Sequence, residues 1–338
     1  MSNFYVTRKG FKQLVVGNIR YRNEKPTDPI LELLDYPAPP TLEQLCNFSD
    51  KAALMVWLAT EASVLTGRTV EEAQQSVLRG NALLQTMSAQ WMQNRDTAIY
   101  QAPDYLFETI CCSLYVTGEF KRDGRLGKNS YIDNMMRTLH MLGYDKRPSR
   151  ILDMGSGLGF TTLYAAHFCP DATVYYNDTS PSSRSLFEKL VARSGLTNIV
   201  ILPDWRSPPP LLDIVMAFEF VEHISSEDDP LVGDPLLPIR HVHPHIKPGG
   251  HILYSTMWNA EQNNGETIGH FTSYRFGDTV VHLDEGKSDR RTRAPHKLFT
   301  EQMKALGYTI RNGGGKHTEW DWKNHAPYCY TRLFPTAE

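Results

Sequence analysis

The chain has 338 residues, with 35 Lys and Arg against 38 Asp and Glu and a formal charge of −3. That length allows one large or two modest domains, and the balanced charge argues against a nucleic-acid partner, which needs clustered cations to meet phosphates. Five cysteines form no C-x-x-C pair, the residues from Met1 to Lys9 hold no signal-peptide core, and no run of about 18 apolar residues is present. A reducing, cytoplasmic setting without a disulfide framework or a membrane span is therefore expected.

Residues 1–148 read as a mainly helical region. Phe11 to Val16 suits a short strand. Thr41 and Gln44 stand at capping-box spacing. Lys51 to Leu65 carries Leu54, Trp57, Leu58 and Val64 at helical spacing and meets a stop at Gly67. A second capping box, Thr69 and Glu72, opens a helix that the pattern extends to Met92. Asp104 is placed to cap a helix over Tyr105 to Val116, and Tyr131 to Leu142 predicts another, stopped by Gly143.

Residues 149–338 alternate strand and helix. Strands are expected over 150–154, 173–178, 198–202, 213–218 and 251–256, with a helix over 181–194 opened by Pro181 and a turn at Lys247-Pro-Gly-Gly250. A helix over 297–306 and a closing antiparallel pair, Tyr308 to Arg311 with Tyr328 to Leu333, complete the pattern. Such alternation implies α/β architecture, a doubly wound Rossmann-like sheet behind an N-terminal helical lid. Residues 259–295, polar and rich in Gly, Arg and Asp, are too long for a plain connection and predict a functional insertion.

The stretch Asp153-Met-Gly155-Ser156-Gly157-Leu-Gly159 reads as a strand end, a tight glycine turn and a helix start. It departs from the G-x-G-x-x-G pattern that cradles a pyrophosphate. A carboxylate directly before the turn repels phosphate and attracts a cation, which suits S-adenosylmethionine (SAM), a nucleoside carrying an ammonium and a sulfonium. Asp178 ends the next strand about 20 residues on, where an acid can hold the ribose hydroxyls. Asp204 and Trp205 offer a carboxylate and an indole to an adenine, and Phe218 with Glu219 ends a strand at the crevice floor.

Together with Pro203, Asp213-Ile-Val, Glu222-His223 and Lys247-Pro-Gly-Gly250, these motifs resemble the class I SAM-dependent methyltransferase superfamily over roughly residues 148–335. The resemblance implies Gly155, Gly157 and Gly159 under the methionine moiety, Asp178 on the ribose, and Asp204 with Trp205 beside the adenine. Asp153, Ser156, Phe218, Glu219 and, from the lid, Tyr131 complete the expected cofactor set. Tyr175 and Tyr176 are adjacent strand residues, so at most one of them reaches the cofactor from the strand.

Catalysis requires the sulfonium methyl to be held in line with a nucleophile and, for an O–H or N–H nucleophile, a base. Glu219, Glu222, His223 and His270 are the candidates. The pattern Glu219-Phe-Val-Glu222-His223 also resembles two metal-using branches of the superfamily, the ubiquinone-pathway O-methyltransferases and the 2′-O-methyltransferases of small-RNA ends. That resemblance implies a divalent ion held by Glu219, Glu222, His223 and His296, with His270 competing for the last place. The metal is the alternative, not the expectation. His241, His243 and His245 read more simply as a solvated helix end, Asn312-Gly-Gly-Gly-Lys316 as a flexible hairpin, and Arg290, Arg291 and Arg293 as a solvated loop.

The expected activity is methyl transfer to a small-molecule metabolite. One alternative keeps SAM and attacks its γ-carbon, a cyclase or lyase that forms azetidine-2-carboxylate and methylthioadenosine. Another is a metal-dependent RNA-end methyltransferase, and a third is a non-catalytic SAM-binding module. The oligomeric state is not legible in the sequence.

Overall fold

The computed structural model describes residues 5–8, 11–14, 40–78, 100–116, 131–204, 206–255, 271, 273–282, 293–310 and 328–333. Strands β1 (Tyr5–Arg8) and β2 (Phe11–Leu14) pair antiparallel, with Tyr5 opposite Leu14. Helices α1 (Leu42–Leu45), α2 (Lys51–Thr66), α3 (Val70–Leu78), α4 (Tyr105–Val116) and α5 (Tyr131–Met141) precede the main sheet.

That sheet is built from β3 (Arg150–Met154), β4 (Thr173–Asn177), β5 (Ile199–Ile201), β6 (Leu212–Phe218), β7 (Ile246–Ser255), β10 (Tyr308–Ile310) and β11 (Tyr328–Arg332), in the order β10-β11-β7-β6-β3-β4-β5. β7, β6, β3, β4 and β5 are parallel neighbours, and β11 runs antiparallel to both β7 and β10. From β3 the chain winds outward through α6 (Phe160–Phe168) to β4 and through α7 (Pro181–Ser194) to β5. It then returns to the other side of β3 as β6. The reversal opens a crevice at the carboxyl ends of β3 and β6, the place where doubly wound sheets bind ligands.

Adjacent strand residues serve opposite layers. Ile151 and Met216 join a core with α6, α7 and the N-terminal helices, whereas Leu152 and Val215 join the other with α8 (Leu237–Val242) and α9 (Arg293–Ala305). All seven residues of β6 are buried, as expected of a central strand covered on both faces. Leu54, Leu58, Leu106, Ile110 and Leu139 share the first core with Leu163 and Phe187, so the N-terminal helices pack directly on the sheet layer.

Local signals explain most boundaries. The Thr41–Gln44 capping box forms, but α1 ends after one turn, where Asn47 turns left-handed at φ 55°. Asp50 caps α2 by accepting from the Ala53 amide at 2.8 Å, and Gly67 closes that helix at φ 70°. Thr69 and Glu72 exchange their capping bonds at 2.9 and 3.2 Å. α7 begins with Ser180 at the cap and Pro181 behind it, and ends at Gly195.

Two expectations are corrected. Asp104 does not cap α4 with its side chain; the carboxylate pairs with the Arg68 guanidinium at 2.8 and 2.5 Å, because a bidentate cation outcompetes one backbone amide. Lys247 to Gly250 is not a free turn but part of β7: pairing with β6 jumps from Leu212–Ile246 to Ile214–His251, and the surplus residues bulge. The helix beyond Leu78 towards Met92, the 312–316 glycine run, Arg290 and Arg291 lie outside the described residues.

Within the 259–295 segment, Phe271 and the hairpin of β8 (Ser273–Phe276) and β9 (Thr279–His282) are described. Phe271, Tyr274 and Phe276 are buried in the second core. The Gly233 amide donates to the Ser273 carbonyl and the Arg275 amide to the Gly233 carbonyl, at 2.9 and 2.7 Å. The hairpin thereby braces the loop that follows β6.

Candidate active site

The glycine turn is tied down from three sides. Within it, the Gly159 amide donates to the Ser156 carbonyl at 2.7 Å and the Ser156 hydroxyl to the Asp153 carbonyl at 2.7 Å. From β4, the Ser156 amide reaches the Asn177 carbonyl at 2.9 Å, and the Tyr176 hydroxyl donates to the Gly157 carbonyl at 2.8 Å. From α4, the Ser113 hydroxyl oxygen accepts from the Leu158 amide at 3.2 Å.

All three turn glycines have positive φ, at 64°, 56° and 69°. A Cβ on Gly155 would meet the Phe220 ring at 2.1 Å, one on Gly157 would press on Ser113 and Thr109 of α4 at 3.2 Å, and one on Gly159 would strike Phe187 at 2.2 Å. The side-chain space of Gly155 and Gly159 is thus taken by core rings and that of Gly157 by α4, so each position requires glycine.

Two acids flank the turn. Asp153 is buried at 1% exposure, and its Oδ2 accepts from the Thr161 and Thr162 hydroxyls, both at 2.6 Å. Burial pushes its carboxyl up to about 6 against the pull of these hydrogen bonds. It acts on the turn from beneath. Asp178 is half-buried at the rim, accepting from the Gly157 amide at 2.9 Å and the Ser180 amide at 2.8 Å. Burial likewise raises it to about 6, opposed by the two amides and by Arg184. Asp204 follows β5 and accepts from the Arg206 amide at 3.0 Å. Trp205 lies outside the described residues.

The third wall follows β6. Phe218 is buried, and Glu219 is left-handed at φ 48° with its amide donating to the Ser255 carbonyl at 2.9 Å. Glu222 and His223 lie on the single 3₁₀ turn Val221–His223. Glu222 is fully buried, and its carbonyl receives the Tyr274 hydroxyl at 3.4 Å. His223 Nδ1 lies 3.1 Å from the Tyr100 hydroxyl, and burial lowers its imidazole to about 4, so the ring is neutral at ordinary pH.

Some expected residues are not brought into this picture. His270 lies outside the described residues, and the side chains of Tyr131 and His296 are not described, although α5 and α9 carry them. Among the described residues no group of three or more His, Cys, Asp or Glu is arranged to hold a metal ion. Asp213 sits at the opposite end of β6, where its carboxylate holds the Arg150 amide at 2.8 Å and Lys247 at 2.5 Å. Of the alternate histidines, His243 Nδ1 is 3.0 Å from the Tyr308 hydroxyl.

Sequence reasoning missed the residues before and on α4. Tyr100 packs edge-on against Tyr105, with ring centroids 5.0 Å apart, and reaches His223. Gln101 donates to the Thr179 carbonyl at 2.9 Å, next to Asp178. Glu108 is half-buried, and burial raises its carboxyl to about 8. Tyr100 and Gln101 stand just outside the helical pattern that drew attention, and their partners are remote in sequence.

The residues present fit SAM. Gly155 and Gly157 keep the turn's backbone left-handed at φ 64° and 56° and in close contact with Phe220 and α4. Asp178 stands at its rim with a carboxylate oriented by two amides, and Asp153 sets a buried negative charge beneath. A family model of the methyltransferase domain matches residues 128–308, more than half of the chain. No curated protein matches it in sequence. Among solved structures, the chain is similar to the 4+2 cyclase SpnF at 17% identity over 54% of this chain, with a TM-score of 0.35; the match spans 60% of the cyclase's length. It is similar to a SAM-dependent methyltransferase from Aquifex aeolicus at 19% identity, covering 58% of this chain and 85% of that one with a TM-score of 0.36. It is also similar to the SAM-bound amino pentose methyltransferase of calicheamicin biosynthesis from Micromonospora echinaspora, at 14% identity over 61% and 93% of the two chains with a TM-score of 0.38. With its motifs, sheet order and matched domain, the chain belongs to the class I SAM-dependent methyltransferases, and SAM is its cofactor.

Proposed function

We propose that this enzyme transfers the methyl group of SAM to a small molecule bound beneath the N-terminal helices. The observation that carries the reading is the bond from the Gly157 amide to Asp178, which locks the glycine turn to the acid at the crevice mouth. The bound cofactor would supply an activated methyl electrophile. Asp178 would hold the ribose, Asp204 with Trp205 would border the adenine, and the Gly155–Ser156–Gly157 backbone would carry the methionine portion.

α4 lies over Gly157 and its neighbourhood brings Tyr100 onto His223, which supports an enclosed crevice suited to a small substrate. The balanced net charge of −3 points the same way. Residues 1–148 would then act as the lid and substrate region of a SAM-binding domain over 149–338.

Glu219, Glu222 and His223 would be the groups that orient a nucleophile. A neutral imidazole is a weak base. It would suffice for an O–H or N–H nucleophile whose proton becomes strongly acidic as the new carbon bond forms.

Incubation with SAM and mass analysis of the nucleoside product tests the reading. S-adenosylhomocysteine, formed only with an added small-molecule extract, supports methyl transfer. Methylthioadenosine with azetidine-2-carboxylate from SAM alone would replace it with the cyclase or lyase. Activity on RNA ends that disappears on chelation would replace it with the metal-dependent RNA enzyme.

A further inference from the structure

Beyond the ladder bond from the Leu202 amide to the Tyr176 carbonyl at 2.9 Å, β4 and β5 part, and their carbonyls need other partners. One side chain serves both strand ends. Arg184, on the first turn of α7, points one nitrogen, Nη2, at the Asp178 carbonyl at 3.0 Å and at the Pro203 carbonyl at 3.1 Å. Asp178 is the rim acid, and Pro203 directly precedes Asp204. A guanidinium nitrogen carries two coplanar hydrogens, so a single Nη2 can satisfy two acceptors at a fixed separation.

We propose that Arg184 is a positioning residue for the cofactor: it sets the spacing between the Asp178 and Asp204 loops, and through them the nucleoside pocket, without touching the ligand. The inference rests on the SAM reading of the crevice. Its geometry fits that role. Asp178 is held on its carboxylate by the Gly157 and Ser180 amides and on its carbonyl by Arg184, so the acid, the glycine turn and the loop after β5 form one connected frame. The Arg184 charge also favours the ionised form of Asp178, while Asp153 from β3 opposes it; Tyr176 and Tyr100, also close, stay neutral because burial raises both phenols.

Titration of the full chain with S-adenosylhomocysteine by calorimetry between pH 5 and 8 tests this, using Arg184→Lys and Arg184→Met alongside the unchanged protein. Arg184→Met is expected to bind about tenfold more weakly at pH 8, with the acidic loss of binding moved to higher pH, as removal of a charge-assisted bond implies. Arg184→Lys, which keeps the charge but not the planar fork, is expected to restore the acidic limb and only part of the affinity. The turnover number at saturating SAM is expected to hold within about twofold, since a positioning role for the cofactor falls on KM. Should Arg184→Met unfold, the lysine variant alone decides: affinity equal to the unchanged protein overturns the proposal. Unaltered affinity and an unaltered pH limb in Arg184→Met would overturn it equally. Absence of binding by the unchanged protein would bring down the SAM reading as well, and is thereby distinguished from failure of the Arg184 role alone.

Discussion

The Tyr100 hydroxyl and His223 Nδ1 lie 3.1 Å apart although 123 positions separate them in the chain. Their rings meet edge to face with centroids 6.2 Å apart. Whichever tautomer His223 adopts, the bond fixes the ring plane and ties the segment before α4 to the turn after β6.

Tyr100→Phe removes that bond and leaves the rings in place. We expect turnover to fall about three- to tenfold, the worth of one partly buried hydrogen bond, with SAM affinity nearly unchanged. Initial rates of S-adenosylhomocysteine release check this. An unchanged rate would mean that His223 does not act on the substrate.

Gly155→Ala places a Cβ where the Phe220 ring lies, on a backbone with φ 64°. The left-handed conformation costs a residue with a side chain roughly 1–2 kcal/mol, and overpacking adds about 1–3 kcal/mol. Thermal unfolding is expected to show the sum, and calorimetry a loss of SAM binding. Adding Phe220→Ala should recover part of the stability; no recovery would show that the ring is not the obstacle.

The acids of the crevice make a signed pH prediction. Asp153 and Asp178 are both raised to about 6 by burial. Their charges favour a cationic ligand, so SAM affinity should be flat above pH 7 and fall as pH drops through 6, approaching about tenfold per unit for each group. S-adenosylhomocysteine, lacking the sulfonium, should lose less. Equal slopes for the two ligands would count against the acids as the cause.

Glu108 gives a separate test of stability. Its folded value is raised from 4.5 to about 8, so its favourable contribution is complete below the unfolded value and is lost as pH rises through 8. Glu108→Gln should melt with the native protein near pH 4, gain on it as pH rises towards 8, and lie above it at pH 9 by on the order of 2 kcal/mol after allowance for partial solvent contact. Parallel melting curves at both pH values would show that the carboxyl is not buried.

Legibility in the sequence followed the range of the interaction. α7 runs from Pro181 to Ser194 as read, because Ser180, Pro181 and Gly195 act on their immediate neighbours. The glycine turn was equally plain, since its strand, bend and helix are consecutive. Asp104 misled because Arg68, 36 residues earlier, claims its carboxylate. The Lys247-Pro-Gly-Gly250 bulge looked like a turn because only pairing with β6 shows that the strand has already begun. Tyr100, Gln101 and Arg184 carry no local signature: each gains its role from a backbone or ring supplied by another element. The Phe187 ring that fills the side-chain space of Gly159 comes from another element and is likewise not announced by the glycine motif.

Glu219 holds a left-handed backbone at the end of a fully buried strand, a conformation that glycine would adopt at lower cost. A Glu219→Gly protein should therefore outlast its parent in a melting experiment, and under the proposed function it should turn over less substrate.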